Sequence, residues 1–354
     1  MKKRSILIMA GGTGGHIFPA LAVADVLHAQ GWRITWLGAP NSMETELVPK
    51  HGYEMALVEF SGLRGKGLMR KLLLPFTLSV ALIQSALAFI QCRPDVVLGM
   101  GGYITVPGGI MAALFRCPLV IHEQNSVAGL SNKVLARFAK RVLSGFPKVL
   151  PEAEWCGNPV RADIAALPDP QQRYKARSGK LNVLVLGGSL GAQAINACVP
   201  KALALLPEES RPDVLHQSGN QHLEKVEAAY QQAGVNAEIR PFLDDMAFFY
   251  EQTDVVICRA GALTIAELAA AGLASILIPF PHAVDDHQTG NAHFLSDRGA
   301  AILLPQNDMK PQHLADLLRG MTRERALEMA QAARAAAQPA ATRRVAEVCA
   351  EVAK

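Results

Sequence analysis

The sequence predicts an α/β protein of two successive domains, each a parallel β-sheet wrapped by helices on both faces. Three observations carry that prediction. A short apolar run, Ile6 to Ala10, ends in Gly11-Gly12-Thr13-Gly14-Gly15-His16, and a second, Val183 to Leu186, ends in Gly187-Gly188-Ser189-Leu190-Gly191-Ala192. Strand-like runs alternate with helix-spaced stretches, the rhythm of βαβ units, whose ligands bind outside the carboxyl ends of the strands. The length, 354 residues, exceeds one ordinary core and suits two, because domains cluster near ~100 to 200 residues.

The first run reads as a strand. Met1-Lys2-Lys3-Arg4 ahead of it mimics the charged start of a signal peptide, but about five apolar residues fall short of the ~7 to 15 that such a peptide needs, so a cytoplasmic protein is expected. In the turn that follows, glycines let the backbone approach a ligand, and the next helix aims its free N–H groups and positive dipole end at an anion. Helical spacing runs from Pro19 to Ala29 and stops at Gly31. Strands are expected at Arg33 to Leu37, Pro94 to Leu98, Leu119 to His122 and Arg141 to Leu143. From Leu181 the pattern restarts, with strands at Val183 to Leu186, Val214 to His216, Glu238 to Arg240, Val255 to Cys258 and Ser275 to Ile278, separated by Ala-rich helices. The junction falls near 158–163, within Cys156-Gly157-Asn158-Pro159-Val160-Arg161, giving domains at 1–160 and 161–341. Gln338-Pro339 interrupts the last helical stretch, and a tail helix at 342–354 is placed with the first domain, although its spacing would let it pack on either.

Half of the residues are hydrophobic and only 19% are charged, which supports two packed cores and excludes a disordered chain. A formal charge of +4 is too small to argue for nucleic acid, and no nucleic-acid partner is expected. Six cysteines, at 92, 117, 156, 198, 258 and 349, form no C-x-x-C pair and read as reduced, buried thiols.

Residues 72–90 approach the ~18 apolar residues of a membrane span. Pro75, Gln84 and the flanking strands make this a crossover helix of the fold instead. The charges around it are one-sided: no acid lies between Glu59 and Asp95, where Arg64, Lys66, Arg70, Lys71 and Arg93 are found, nor between Glu123 and Glu152, where Lys133, Arg137, Lys140, Arg141 and Lys148 are found. These runs fit either attachment to an anionic membrane surface or solvated faces with a chance asymmetry.

Several chemistries are disfavoured by what the glycine turns lack. A dinucleotide domain would carry a carboxylate at the end of its second strand, but those strands end Trp36-Leu37-Gly38-Ala39 and His216-Gln217-Ser218-Gly219. No Gly-Lys-Ser or Gly-Lys-Thr follows either turn, so ATP hydrolysis is not expected. No Asp-x-Asp element is present to hold a metal on a sugar diphosphate, and His282, Asp285, Asp286 and His287 lack a ligand-like context, so neither metal nor cofactor is expected. A leaving diphosphate would then rest on helix N-termini, hydroxyls and cations. The run Arg259 to Glu267 supplies small residues, free N–H groups and a carboxylate one turn into a helix. Glu267 there is either a ribose ligand or an exposed helix glutamate.

Taken together the motifs resemble the MurG family of bacterial peptidoglycan transferases. They are Gly-Gly-Thr-Gly-Gly-His at 11–16, Ser-Gly-Leu-Arg-Gly-Lys-Gly at 61–67, Gly-Met-Gly-Gly-Tyr at 99–103, His-Glu-Gln-Asn at 122–125, Gly-Asn-Pro-Val-Arg at 157–161, Gly-Gly-Ser-Leu-Gly-Ala at 187–192, Phe-Leu-Asp-Asp-Met at 242–246 and Gly-Ala-Leu-Thr-Ile-Ala-Glu at 261–267. The resemblance implies a glycosyltransferase B fold, two Rossmann-like domains facing across a cleft. It implies inverting transfer of N-acetylglucosamine from UDP-GlcNAc to the 4-hydroxyl of the lipid-linked muramyl-pentapeptide, lipid I, at the cytoplasmic face of the membrane, with contacts to other cell-wall synthesis enzymes. Carried over residue by residue, the donor site comprises Thr13, Gly14, Gly15, Asn125, Arg161, Ser189, Leu243, Ala262, Leu263, Thr264, Ile265, Ala266, Glu267 and Gln288. Leu243 would read uracil through its backbone, Glu267 hold the ribose, Ser189 the phosphates and Gln288 the sugar hydroxyls. His287 departs from members that carry glutamine there, so no role is assigned to it.

The reaction requires a base, and His16 at the end of the first turn is the candidate, since an imidazole with an ordinary pKa of ~6.5 accepts a proton at cellular pH. Alternatively His16 only hydrogen-bonds backbone or phosphate. His122 and Glu123 are weaker candidates, because a strand-end carboxylate can simply position Asn125. The rival readings are a UDP-N-acetylglucosamine 2-epimerase or another UDP-sugar transferase of the same fold, and a non-catalytic UDP-sugar sensor on the membrane.

Overall fold

The computed structural model describes residues 3–60, 73–188 and 191–354. Ser189 and the basic residues Arg64, Lys66, Arg70 and Lys71 lie outside them. The chain divides into two compact units, leaving the first at Arg161 and returning to it at Gln338, with 162–337 forming the second.

The first unit runs β1 (Ser5–Met9), α1 (Gly14–Ala29), β2 (Arg33–Gly38), α2 (Met43–Lys50), β3 (Glu54–Leu57), α3 (Leu74–Cys92), β4 (Val96–Gly99), α4 (Thr105–Leu114), β5 (Leu119–Glu123), α5 (Leu130–Leu135), β6 (Arg141–Ser144) and β7 (Glu154–Trp155). Its strands order as β3-β2-β1-β4-β5-β6-β7 with every pair parallel. Both faces of the sheet are covered, so β1 is apolar at every position but its first, Ser5. Alternation sends Ile6 and Ile8 to the layer containing α1, and Leu7 and Met9 to the layer of α3, α4 and α5. The first helix begins at Gly14 rather than near Pro19, because the glycines that hide its start from a propensity reading form its first turn.

The second unit repeats the plan. It contains α6 (Ala162–Ala165), α7 (Pro170–Lys175), β8 (Asn182–Leu186), α8 (Gln193–Ala204), β9 (Asp213–Gln217), α9 (Leu223–Ala233), β10 (Glu238–Arg240), α10 (Met246–Gln252), β11 (Val255–Cys258), α11 (Ala262–Ala271), β12 (Ala274–Leu277), α12 (His287–Ser296), β13 (Ala301–Leu303), α13 (Pro311–Arg319) and α14 (Arg323–Ala336). The strand order is β10-β9-β8-β11-β12-β13, again all parallel. At the amino end of this sheet Asp254 is fully buried, paired with Arg177 and accepting the Asn182 amide at 2.8 Å. The last helix, α15 (Ala341–Val352), packs against α1 and buries Val345, Ala346, Val348 and Cys349 in the first core.

Candidate functional site

In each sheet the strand order reverses beside the first strand of the unit, between β1 and β4 and between β8 and β11. Ligands of open α/β sheets bind at that switch point, and each glycine turn leaves the strand that forms it. In the first unit the loops after β1 and β4 press together. Gly102 has φ +87°, and a Cβ there would sit 2.5 Å from the Gly11 carbonyl oxygen. Gly101 has φ +95°, and its Cβ would lie 2.8 Å from the His16 ring. Fully buried Glu44 ties the turn down by accepting the amides of Gly12 at 3.3 Å and Ala39 at 3.1 Å. Thr13 is the extended N-cap residue of α1, yet its hydroxyl caps nothing, and it is exposed beside half-buried Gly14, Gly15 and His16.

His16 reaches the end of β5, where its Nδ1 lies 2.9 Å from Gln124 Oε1. Glu123 is buried, and its carboxylate accepts the amides of Asn125 at 2.9 Å and Gly129 at 3.0 Å and the Asn132 Nδ2 at 2.8 Å. That is the positioning role, with Asn125 held by it. His122 is also fully buried, and burial pushes its pKa down to about 4. Neither is open to an acceptor hydroxyl. Arg161 stands half-buried at the point where the chain leaves this unit.

In the second unit, β11 leads through Arg259-Ala260-Gly261 into α11. Gly261 is an extended N-cap without a side-chain bond, and its carbonyl oxygen accepts the Ile265 amide at 2.9 Å. Leu263 and Thr264 lie in the first turn of the helix, where backbone N–H groups have no carbonyl within the helix to bond and suit an anion. Ala262 and Ile265 are buried while Leu263, Thr264 and Ala266 are half-exposed. Glu267 is 7% exposed and accepts the Tyr250 hydroxyl at 3.3 Å, so it is not the exposed helix glutamate that spacing alone allows. Leu243 is buried, 2% exposed as a whole residue. Gln288 is half-buried with Oε1 accepting the Phe280 amide at 2.9 Å. Gly188 and Gly191 flank the Ser189 turn at φ +73° and +75°.

Arg259, Tyr250 and Gln124 received no individual role from the sequence. Arg259 donates to the carbonyls of Ile278 and Pro279 at 3.2 Å and to Gln306 Oε1 at 2.7 Å, bracing the strand-end loops. For Gln124 a signal existed: two residues after His122 at a strand end, it shares that residue's side of the strand. Among the described residues no three His, Cys, Asp or Glu side chains converge as metal ligands, and His287 bonds through Nδ1 to the Val284 carbonyl at 2.7 Å.

A second surface of the first unit is apolar. The 19-residue α3 is long and apolar enough to cross a membrane, with mean hydropathy 1.6 over a window that is only 22% buried. It is a crossover helix as expected, and most of it is not buried. Ala81, Ser85, Ala88, Phe89 and Cys92 face the core, while Phe76, Ile83, Leu87 and Ile90 are 70%, 62%, 52% and 55% exposed. Leu114 and Phe115 at the end of α4, the latter stacked on Phe89, and Leu130 at the start of α5 and Phe138 just past its end are exposed as well. Arg93, Arg116, Lys133, Arg137 and Lys140 are exposed on the same helices or just beyond their ends.

Comparison with known proteins adds an independent line. Residues 6–144 match the glycosyltransferase family 28 N-terminal domain and residues 182–347 its C-terminal domain. A protein of Azoarcus sp. strain BH72 is 59% identical over 99% of both chains, and one of Dechloromonas aromatica strain RCB is 58% identical over the same shares. Both are named UDP-N-acetylglucosamine–N-acetylmuramyl-(pentapeptide) pyrophosphoryl-undecaprenol N-acetylglucosamine transferase. The crystal structure of Acinetobacter baumannii MurG superposes with a TM-score of 0.85 at 42% identity, covering 98% of this chain and 99% of that one. A glycosyltransferase of kitacinnamycin, 18% identical with a TM-score of 0.71 over 100% of each chain, shares the fold.

Proposed function

The chain belongs to glycosyltransferase family 28, in its MurG branch, and on that premise we propose how its own residues carry the reaction. It transfers N-acetylglucosamine from UDP-GlcNAc to the 4-hydroxyl of undecaprenyl-diphospho-N-acetylmuramoyl-pentapeptide, converting lipid I to lipid II. The observation that carries the donor half is the glycine-capped start of α11 with buried Glu267 one turn inside it. Helix amides take the diphosphate charge, and Glu267 accepts the ribose hydroxyls. Leu243 presents backbone groups to uracil, and Ser189 supplies a hydroxyl to the phosphates. Gln288, whose oxygen already holds Phe280, donates through Nε2 to the sugar. Thr13, Gly14, Gly15, Asn125 and Arg161 complete the set that the family resemblance assigns.

His16 is the base. The muramyl 4-hydroxyl attacks the anomeric carbon in line, its proton passes to His16, the new C–O bond forms, and the bond to UDP breaks with both electrons leaving on the diphosphate. The first unit docks peripherally on the cytoplasmic face of the membrane, where the acceptor's polyprenyl chain stays. What supports this is the exposed stripe of α3 with its basic surroundings, which suits anionic headgroups above and acyl chains below. Release of UDP from UDP-GlcNAc tests the activity. Release that depends on added lipid-linked muramyl acceptor is expected; release without acceptor, or none at all, as a sensor or an epimerase that leaves UDP on the sugar gives, would refute it.

A further inference from the structure

We propose that Gln124 is a positioning residue that sets the tautomer of His16, keeping the proton on Nδ1 and presenting Nε2 as the bare nitrogen. The assignment starts from two atoms that can only accept. The Gly157 carbonyl oxygen lies 2.9 Å from His122 Nε2, so that nitrogen carries a hydrogen. His122 is fully buried and burial keeps it neutral, so its Nδ1 is bare. The amide of Gln124 places Nε2 3.2 Å from that Nδ1 and 3.1 Å from the His122 carbonyl oxygen. An amide turned over would set two oxygens against each other, so Nε2 must face His122 and Oε1 must face His16. Oε1 lies 2.9 Å from His16 Nδ1 and can only accept, so Nδ1 is the donor. In a neutral imidazole the lone pair then sits on Nε2.

The relay is rigid. Gln124 is almost completely buried and its own carbonyl takes the Asn158 Nδ2 at 3.0 Å, while Gly101 leaves room for the His16 ring that any Cβ would invade. A neutral amide thus does here what a carboxylate does in a charged dyad: it orients the imidazole without adding a negative charge beside it. The catalytic consequence rests on His16 being the base; the tautomer does not.

The test is a two-dimensional spectrum of ¹⁵N-histidine-labelled protein at a pH where imidazoles are neutral. The resonances of His16 are identified by their loss in His16→Ala. A pyrrole-like Nδ1 and a pyridine-like Nε2 are expected for His16, with the opposite pattern for His122. A proton on His16 Nε2, or an even mixture, would overturn the proposal with no variant needed. In Gln124→Leu the two tautomers of His16 should mix, and kcat should fall roughly 10-fold or more while KM for UDP-GlcNAc stays within about twofold. An unchanged kcat overturns the positioning role. If His16→Ala itself keeps kcat within about tenfold, the base reading falls separately, and the spectrum still decides the tautomer.

Discussion

Glu267 shows how a residue's surroundings choose between two roles that its sequence context leaves open. It is nearly buried, accepts the Tyr250 hydroxyl and lies one turn inside α11, so the exposed-helix role is removed and the ribose-ligand role is the one we propose. Glu267→Ala is expected to raise KM for UDP-GlcNAc about 10- to 100-fold, because hydrogen bonds to a charged group contribute roughly 1.5 to 3 kcal/mol, with a smaller change in kcat; an unaltered KM in steady-state assays removes Glu267 from the donor site. The glycine turns, Glu267 and His16 were legible as motifs because each is local in the chain. The link between His16 and Gln124 was not, since 108 residues separate them and only the parallel order of β1, β4 and β5 brings them together. The cysteines were legible by spacing alone: all six are free and buried, and burial pushes Cys117 and Cys258 up to about 12.

Among the elements, central strands declared themselves and most edges did not. β3, β7 and β13 were missed, and all three lie at the rim of their sheets with half-exposed residues. A strand covered on both faces writes a continuous apolar run, whereas a rim strand has no such run to read; β10, also at an edge, was found. The helix α3 carries the opposite lesson. Its apolar composition does not mean burial: the residues at 76, 83, 87 and 90 repeat at helical spacing on an outward stripe. Ile83→Glu with Leu87→Glu should abolish co-sedimentation with vesicles containing phosphatidylglycerol, while UDP release with a short-chain soluble acceptor persists. Retained vesicle binding by this double variant would contradict membrane docking through α3.

For the molecule as a whole, two buried histidines, one in each unit, couple stability to pH. Burial lowers His122 and His216 to about 4, and His216 is held by Tyr230 and Asn196 at 2.9 and 3.0 Å. In the unfolded chain both return to an ordinary pKa of ~6.5, so between these values the unfolded state binds more protons and stability falls as pH falls. The contribution is full above ~6.5 and is lost on the way down to about 4, which amounts to about 2 kcal/mol for each histidine between pH 7 and 5. Urea unfolding across that range should show the decline, and His216→Gln should flatten it for the second unit; equal slopes in the variant would show that other groups control the acid limb.

The return of the chain to the first unit also orders its synthesis. Val345, Ala346, Val348 and Cys349 complete a core begun by β1 and α1, and Arg344 holds Glu154 through bonds of 2.6 and 3.0 Å. These residues leave the ribosome only after all of 162–337 has emerged. The second unit can therefore close on itself while the first still waits for its final helix, and the half of the protein that is made first is the half that is finished last.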